Sequence, residues 1–441
     1  MATDSTATEL AGTSSQAPKL GPVEVLELIQ LPSAPFRERA LPIRSGDLKR
    51  LLLAQPELTL DDREKISQFD DLLGATFHSE FFSKLRELKD LYAPLDPDCD
   101  YVHIADCSRV RTDTSDEDFL PPLEATLNQA NYKALDLQVI QEAVAAPNET
   151  GLTYVPDFSL FEHLRVYVRG YTQITRTIRT ARTGFRKRTV VLDAYQRMVL
   201  LLKFKEGLAL GPFVRSDVIY LRMFKDVPHV DMEMHLPEQG TRVKMRWIDK
   251  AQIASPIAVG LPTLAMKALG AAAAFATMNP VLLAPLVIAP ITAGVNSFFG
   301  FQRAKQKHLS TMIRNLYYLT LANNVSVLNR LVDSAEEEEY KEAMLGYFLL
   351  WTANRAGEEP TETQLDTAIE AFLRAKTGLD INFEVSDALA KLFRLGLTQA
   401  DPDGKLRATP LEAALAQLDS LWDNTFRYPR PALDEKRENP R

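Results

Sequence analysis

Between Thr59 and Tyr92 apolar residues recur mostly at three- and four-residue steps, through Ile66, Phe69, Leu72, Leu73, Phe77, Phe81, Leu85, Leu88 and Leu91. That period predicts a long amphipathic helix. Thr59 and Asp62 have capping-box spacing at its start, and Pro94 and Pro97 end it. The pattern from Pro22 onward is also helical, and residues 1–20 read as a flexible polar tail. Residues 98–150 add a short β-like run at Tyr101–Ile104, an acidic loop at Thr112–Asp118 and a helix from about Tyr132 to Ala145. Together these make a mainly helical domain at 21–150.

From Gly151 to Asp226 the period shortens towards two. The runs LRVYVRGYTQITRTIRT, RTVVLDAYQRMVLLLKF and SDVIYLRMFKDV are rich in β-branched and aromatic residues and separated by glycines. They predict a small antiparallel sheet in a β-rich domain at 151–250. The sheet is basic: from His163 to Lys205 there are 11 Lys and Arg against Asp193 alone.

Ala251–Gln302 breaks both patterns. Lys267 is the only charged residue among its 52, and a helix needs about 20 apolar residues to cross a bilayer. The stretch is long enough for two helices, about Ser255–Met278 and Pro280–Phe301, with Met278-Asn279-Pro280 as the break. It therefore predicts a transmembrane helical hairpin at 251–302. Lys244, Arg246 and Lys250 precede it and Arg303, Lys305 and Lys307 follow it. By the positive-inside rule both flanking parts share the cytoplasmic side.

Beyond the hairpin a helical region at 303–357 comprises one helix over Arg303–Arg330 and a second from a Ser334-x-x-Glu337 capping box to about Thr352. The acidic run Glu336–Glu339 reads as solvated. Residues 361–427 have the order helix, helix, two short strands around Asp401-Pro-Asp-Gly404, helix, which predicts a winged-helix-like unit. Residues 428–441 read as a tail. The fold class is thus α+β: a helical N-terminal region, a small antiparallel basic β-sheet, a two-helix transmembrane hairpin, a helical region and a C-terminal winged-helix-like unit.

Composition sharpens this picture in three ways. The net charge of −8, and 11 acids against 7 bases over 361–427, argue against a nucleic-acid partner. Two cysteines are too few for a disulfide scaffold. The N-terminus has neither a basic nor an apolar leader segment, so no cleaved address is expected.

Candidate chemistry is sparse. His229, Asp231, Glu233 and His235 alternate, so a strand would place four zinc-type ligands on one face, although Pro228 and Pro237 bracket them. They are the residues to examine for catalysis. Cys99, His103 and Cys107 are spaced four apart with Asp106 nearby, a three-ligand set more typical of a small buried core. Phosphate-loop, dinucleotide-fold, nucleophile-elbow and zinc-protease motifs are all missing from the sequence. Neither metal nor cofactor is expected, and the reading leans away from an enzyme.

Several stretches in order, RERALPIRSGDLKRLLL, LLGATFHSEFFSKLRELKDLYAPLDPD, VYVRG at Val166–Gly170, YLRMFKDVPHVDMEMHLP and VKMRWIDK, followed by the paired apolar segments, carry a family likeness. Over about Phe36 to Asp423 the chain resembles the transmembrane protein 143-like family. The resemblance implies two membrane spans and brings no activity and no catalytic residues. It implies a mitochondrial location in animals, the inner membrane for a eukaryotic chain; the absent transit peptide fits the bacterial relatives and the cytoplasmic membrane.

The expectation is an integral membrane protein acting as a scaffold or regulatory platform at the lipid bilayer. Arg176, Arg179, Arg182, Arg186, Lys187 and Arg188 would meet anionic lipid headgroups, and the winged-helix-like unit would bind a protein partner. One alternative is a pore or transport component, a homo-oligomer with Lys267 lining a polar path. The other is an enzyme on a membrane-associated substrate.

Overall fold

The structure, a computed structural model, describes residues 37–99, 115–145, 152–178, 188–208, 214–229, 241–245, 317–378 and 380–425, with Met232, His235, Phe299, Gln306 and Ser310. Helix α1 (Ser45–Leu53) leads into α2 (Leu60–Tyr92), which Thr59 and Asp62 cap reciprocally. Helix α3 (Asp116–Gln129) starts inside the expected acidic loop. Ser115 and Asp118 form its capping box, and the acids of its first turn suit the positive end of the helix dipole. Pro121 and Pro122 lie within α3 and break its sequence pattern. Strand β1 (Lys133–Ala134) and helix α4 (Leu137–Ala145) replace the single helix expected from Tyr132, because Asn131 turns the chain with φ 60°.

Strands β2 (Leu152–Pro156), β3 (Phe161–Ile178), β4 (Arg188–Phe204), β5 (Tyr220–Pro228), β6 (Thr241–Met245) and β7 (Thr320–Asn323) follow. The main sheet has the order β1-β3-β4-β5-β7, antiparallel throughout, while β2 pairs with β6 separately. Side chains alternate between two cores, as the period of two requires. Tyr167, Val199, Leu201, Leu221 and Met223 join the helical core. Val166, Val168, Met198, Leu200, Leu202 and Phe224 form a second cluster with Ile140 of α4.

β5 reaches only to Ala194 of β4, and β1 only to Val168 of β3. Beyond those points β3 and β4 continue as a two-stranded ribbon to the pair Ile178 and Arg188. Gly170 marks the change. Its φ is +70°, a conformation suited to glycine, and just past it Tyr195 shares a cluster with Met198 and Leu200 despite its odd position. A Cβ at Gly170 would stand 2.5 Å from Gln196 Oε1 and 2.9 Å from Gln196 Cβ. Gly170→Ala combines a left-handed backbone with overpacking, and a loss of about 2 kcal/mol is expected in urea unfolding. Adding Gln196→Ala should restore part of it, since the Gln196 Cβ contact stays; no recovery would leave backbone strain as the whole cause.

The C-terminal half is α5 (Val325–Arg355), α6 (Glu362–Thr377), α7 (Val385–Arg394), β8 (Thr398–Ala400), β9 (Leu406–Ala408) and α8 (Leu411–Thr425). α5 runs unbroken through Ser334, which is no cap, because the helix buries Leu331, Val332 and Ala335 on either side. The helix expected over 303–330 is interrupted by β7 and by Asn324. α2 and α5 pack along each other, with Phe69 stacked on Tyr347 at 4.2 Å. A single buried cluster includes Leu41, the helices, one sheet face, α5 and Leu418 of α8, so the winged-helix-like unit shares the core of the helical body.

The transmembrane hairpin is corrected here. Among the described residues no helix is long and apolar enough to cross a membrane. α2 and α5, with 33 and 31 residues, have the length. Charged residues recur along both, so they are amphipathic core helices. Apart from Phe299 the expected hairpin at 251–302, including Lys267, lies outside the described residues. The description of the chain as a membrane protein organised on a transmembrane helical hairpin loses its support with that finding.

Candidate functional site

α7 is the second helix in the C-terminal order of helix, helix, two short strands and helix. Here it is occupied internally: Val385, Ala388, Leu389, Lys391 and Leu392 are buried, and α7 packs on α5. At this seam lies a cleft of about 550 Å³. α2 supplies Glu80 and Lys84, spaced to share one helical face. α7 supplies Asp387, Ala390, Lys391 and Arg394, the end of α3 with β1 supplies Asn128, Gln129, Asn131, Tyr132 and Lys133, and α5 supplies Glu339. Arg39 and Glu384 complete the lining.

Ion pairs stitch the cleft walls together. Arg394 grips Glu80 through two bonds of 2.6 and 3.0 Å, tying α7 to α2. Arg39 pairs with Glu384 at 2.7 Å. Lys391, 6 % exposed, lies 3.0 Å from Glu339, 3.0 Å from Asp387 and 2.5 Å from Glu342. Burial pushes Glu342 up to about 7, against the pull of Lys391 and the Asn131 amide. Burial raises Glu339 in the same way. Burial also works against the Lys391 charge, but Glu342 and Glu339 overcome it and hold its pKa above the usual lysine value. The neighbouring Glu338 accepts from Leu41 N–H and from Lys341, both at 2.8 Å. The acidic run of α5 that reads as solvated is therefore buried in part: Glu338 and Glu339 are 3 % and 5 % exposed.

Lys84 is held differently. Its ammonium donates to Gln129 Oε1 at 3.2 Å and lies 4.3 Å from the centre of the Phe81 ring, and no carboxylate of the described residues pairs with it. Burial lowers its pKa; Glu339 and Glu80 oppose that shift, and Arg394 and Lys391 reinforce it. A half-buried cation facing a polar cleft without a carboxylate partner is suited to an anionic ligand.

The sequence candidates fall elsewhere. His229 stacks on Tyr195 at 4.1 Å and meets Tyr171 edge-on, with its pKa lowered by burial despite Asp193. His235 packs against Phe224. Asp231 and Glu233 lie outside the described residues, as do His103, Asp106 and Cys107. His229 and His235 thus sit in aromatic contacts, with no ligand set gathered around them among the described residues. Arg176 and Arg188 are in the paired ribbon, while Arg179, Arg182, Arg186 and Lys187 lie outside the described residues. Other basic residues of the sheet are neutralised within the fold: Arg165 pairs with Glu124, and Lys203 with Asp116 and Glu162. Asp116, Glu162 and His163 bring metal-type ligand atoms within 4.8 Å of one another. The Lys203 ammonium already pairs with both carboxylates there.

Lys84, Glu342 and Lys391 were not singled out from the sequence, and Glu339 reads there only as part of a solvated run. The available signal was Glu338, Glu339, Lys341 and Glu342 running straight into the apolar LGYFLLW of α5, which places charge on a core-facing helix.

No solved structure matches the chain. Residues 195–326 match a family described as a protein of unknown function (DUF3754). That stretch includes β5, β6, β7 and Asn324, and every residue lining the cleft falls outside it.

Proposed function

We propose that this chain is a regulatory module that binds a small polyanion in the cleft beside α7 and responds by altering how α6–α8 are held on α2 and α5. One observation carries the reading: Lys84, a half-buried ammonium without a carboxylate partner among the described residues, faces a cleft whose other walls are joined by ion pairs. A polyanion reaching Lys84 would compete with Glu80 for Arg394 and with Glu384 for Arg39. It would thereby couple occupancy to the seam.

Pyrophosphate is the probe. Titration calorimetry on the full chain is expected to show saturable binding, weakened about tenfold or more by Lys84→Met, since a hydrogen bond to a charged group contributes roughly 1.5–3 kcal/mol. Equal affinity in the variant, or no binding to the unaltered chain, would remove the reading.

A further inference from the structure

Arg39, Lys391 and Arg394 each rest on a carboxylate, whereas the Lys84 nitrogen meets the neutral amide of Gln129 and the face of Phe81. The carboxylates nearest in charge terms are already engaged: Glu80 is gripped by Arg394 and Glu339 by Lys391. Burial favours the free amine at this position; the charges of Glu339 and Glu80 oppose that, and Arg394 and Lys391 reinforce it. The cleft gives a small electrophile access to it.

We propose that Lys84 is a carbamylation site for dissolved carbon dioxide. The amine lone pair attacks the carbon of CO2, the π pair of one C=O moves to its oxygen, and the nitrogen gives a proton to water. Counted from the ammonium, Lys–NH3+ and CO2 become Lys–NH–COO− and two protons. The site exchanges a positive charge for a negative one. Arg394 and Lys391, which repel the ammonium, attract the carbamate; Glu80 and Glu339 do the reverse, but both are engaged by those same cations. The modification site stands on the neutral contacts of the amine and its place in the cleft, with burial in support. Its consequence rests on the polyanion reading: a carbamate at Lys84 excludes the anion that the ammonium would hold, so carbon dioxide and polyanion oppose one another.

The full chain is equilibrated with 13C-labelled bicarbonate at fixed pH, trapped with an oxonium alkylating agent and mapped by mass spectrometry. Trapped carbamate is expected at Lys84 in excess of about tenfold over the exposed Lys376, and to vanish in Lys84→Arg, whose guanidinium stays protonated. Labelling of Lys84 no greater than that of Lys376 overturns the proposal, and this comparison within the unaltered chain holds whether or not the variant folds. Pyrophosphate titration with and without dissolved CO2 at the same pH separates the two readings. Carbamate without pyrophosphate binding removes only the polyanion reading, whereas pyrophosphate binding without carbamate removes only this one.

Discussion

Lys391→Met lowers the stability of the folded chain by about 3–5 kcal/mol, the cost of breaking a buried ion pair from one side. The side chain is 6 % exposed, and its ammonium joins Glu339 and Glu342 of α5 to Asp387 of its own helix. Methionine fills much of the volume but leaves two buried carboxylates without their cation. The sign of the pH dependence follows from the raised carboxyls. Glu342, at about 7 in the fold, favours the folded state below its unfolded value and loses that contribution as pH rises through 7. Without Lys391 the folded-state values of Glu339 and Glu342 rise further. The deficit of the variant in urea unfolding should therefore be largest near and above neutrality and shrink as pH falls towards 5. Lys391→Met with Glu342→Gln removes one of the two orphaned charges and should recover more than a third of the loss. A deficit that does not vary with pH would mean that lost packing, and not unpaired charge, sets the effect.

That network also shows where sequence reasoning stops. α2 was legible because both its cap and its apolar period lie within the helix: Thr59 and Asp62 cap it, and Phe69, Leu73, Phe77 and Phe81 are all buried. The C-terminal order of helix, helix, two strands and helix was legible for the same reason, since Gly378 and Gly396 take positive φ after α6 and α7, and Asp401 organises the β8–β9 turn. α3 was hidden by Pro121 and Pro122, and the unity of α5 by a serine and a glutamate at cap spacing. The cleft was hidden for a different reason. Glu342 and Lys391 are 49 positions apart, and Arg394 and Glu80 are 314 apart. A local pattern shows that a helix carries charge on a given face; it does not show which distant charge will meet it. Lys84 was harder still, because what distinguishes it is that it meets a neutral amide and an aromatic face where the other cations of the cleft meet carboxylates.

Asn324→Ala costs about 3 kcal/mol or more, and Asn324→Gly costs less. Asn324 joins β7 to α5 with φ 48° and ψ −124°, a backbone state that a non-glycine residue holds at a cost of roughly 1–3 kcal/mol. What holds it there is its side chain. Oδ1 accepts from the Leu221 N–H at 3.2 Å and from the Tyr92 hydroxyl at 3.3 Å, Nδ2 donates to Asp98, and the backbone N–H donates to Leu221 O at 2.8 Å. The one Tyr92 hydroxyl proton is shared with Ile219 O, which is closer at 2.7 Å, so this junction fastens the end of α2, the strand β5 and the start of α5 together. Alanine leaves the buried Leu221 N–H without its acceptor, at about 1–3 kcal/mol, and keeps the backbone strain. Glycine loses the same bonds but relaxes the backbone, and should be the more stable of the two by about 1 kcal/mol despite its larger unfolded-state entropy. Denaturant midpoints of the three chains measure this directly. If alanine equals or exceeds glycine, the strained turn is not stored energy, and the hydrogen bonds alone account for the residue. Should both variants match the parent, the junction is not a fastening point, and β7 and α5 are positioned by the apolar contacts of Ala322 and Val327.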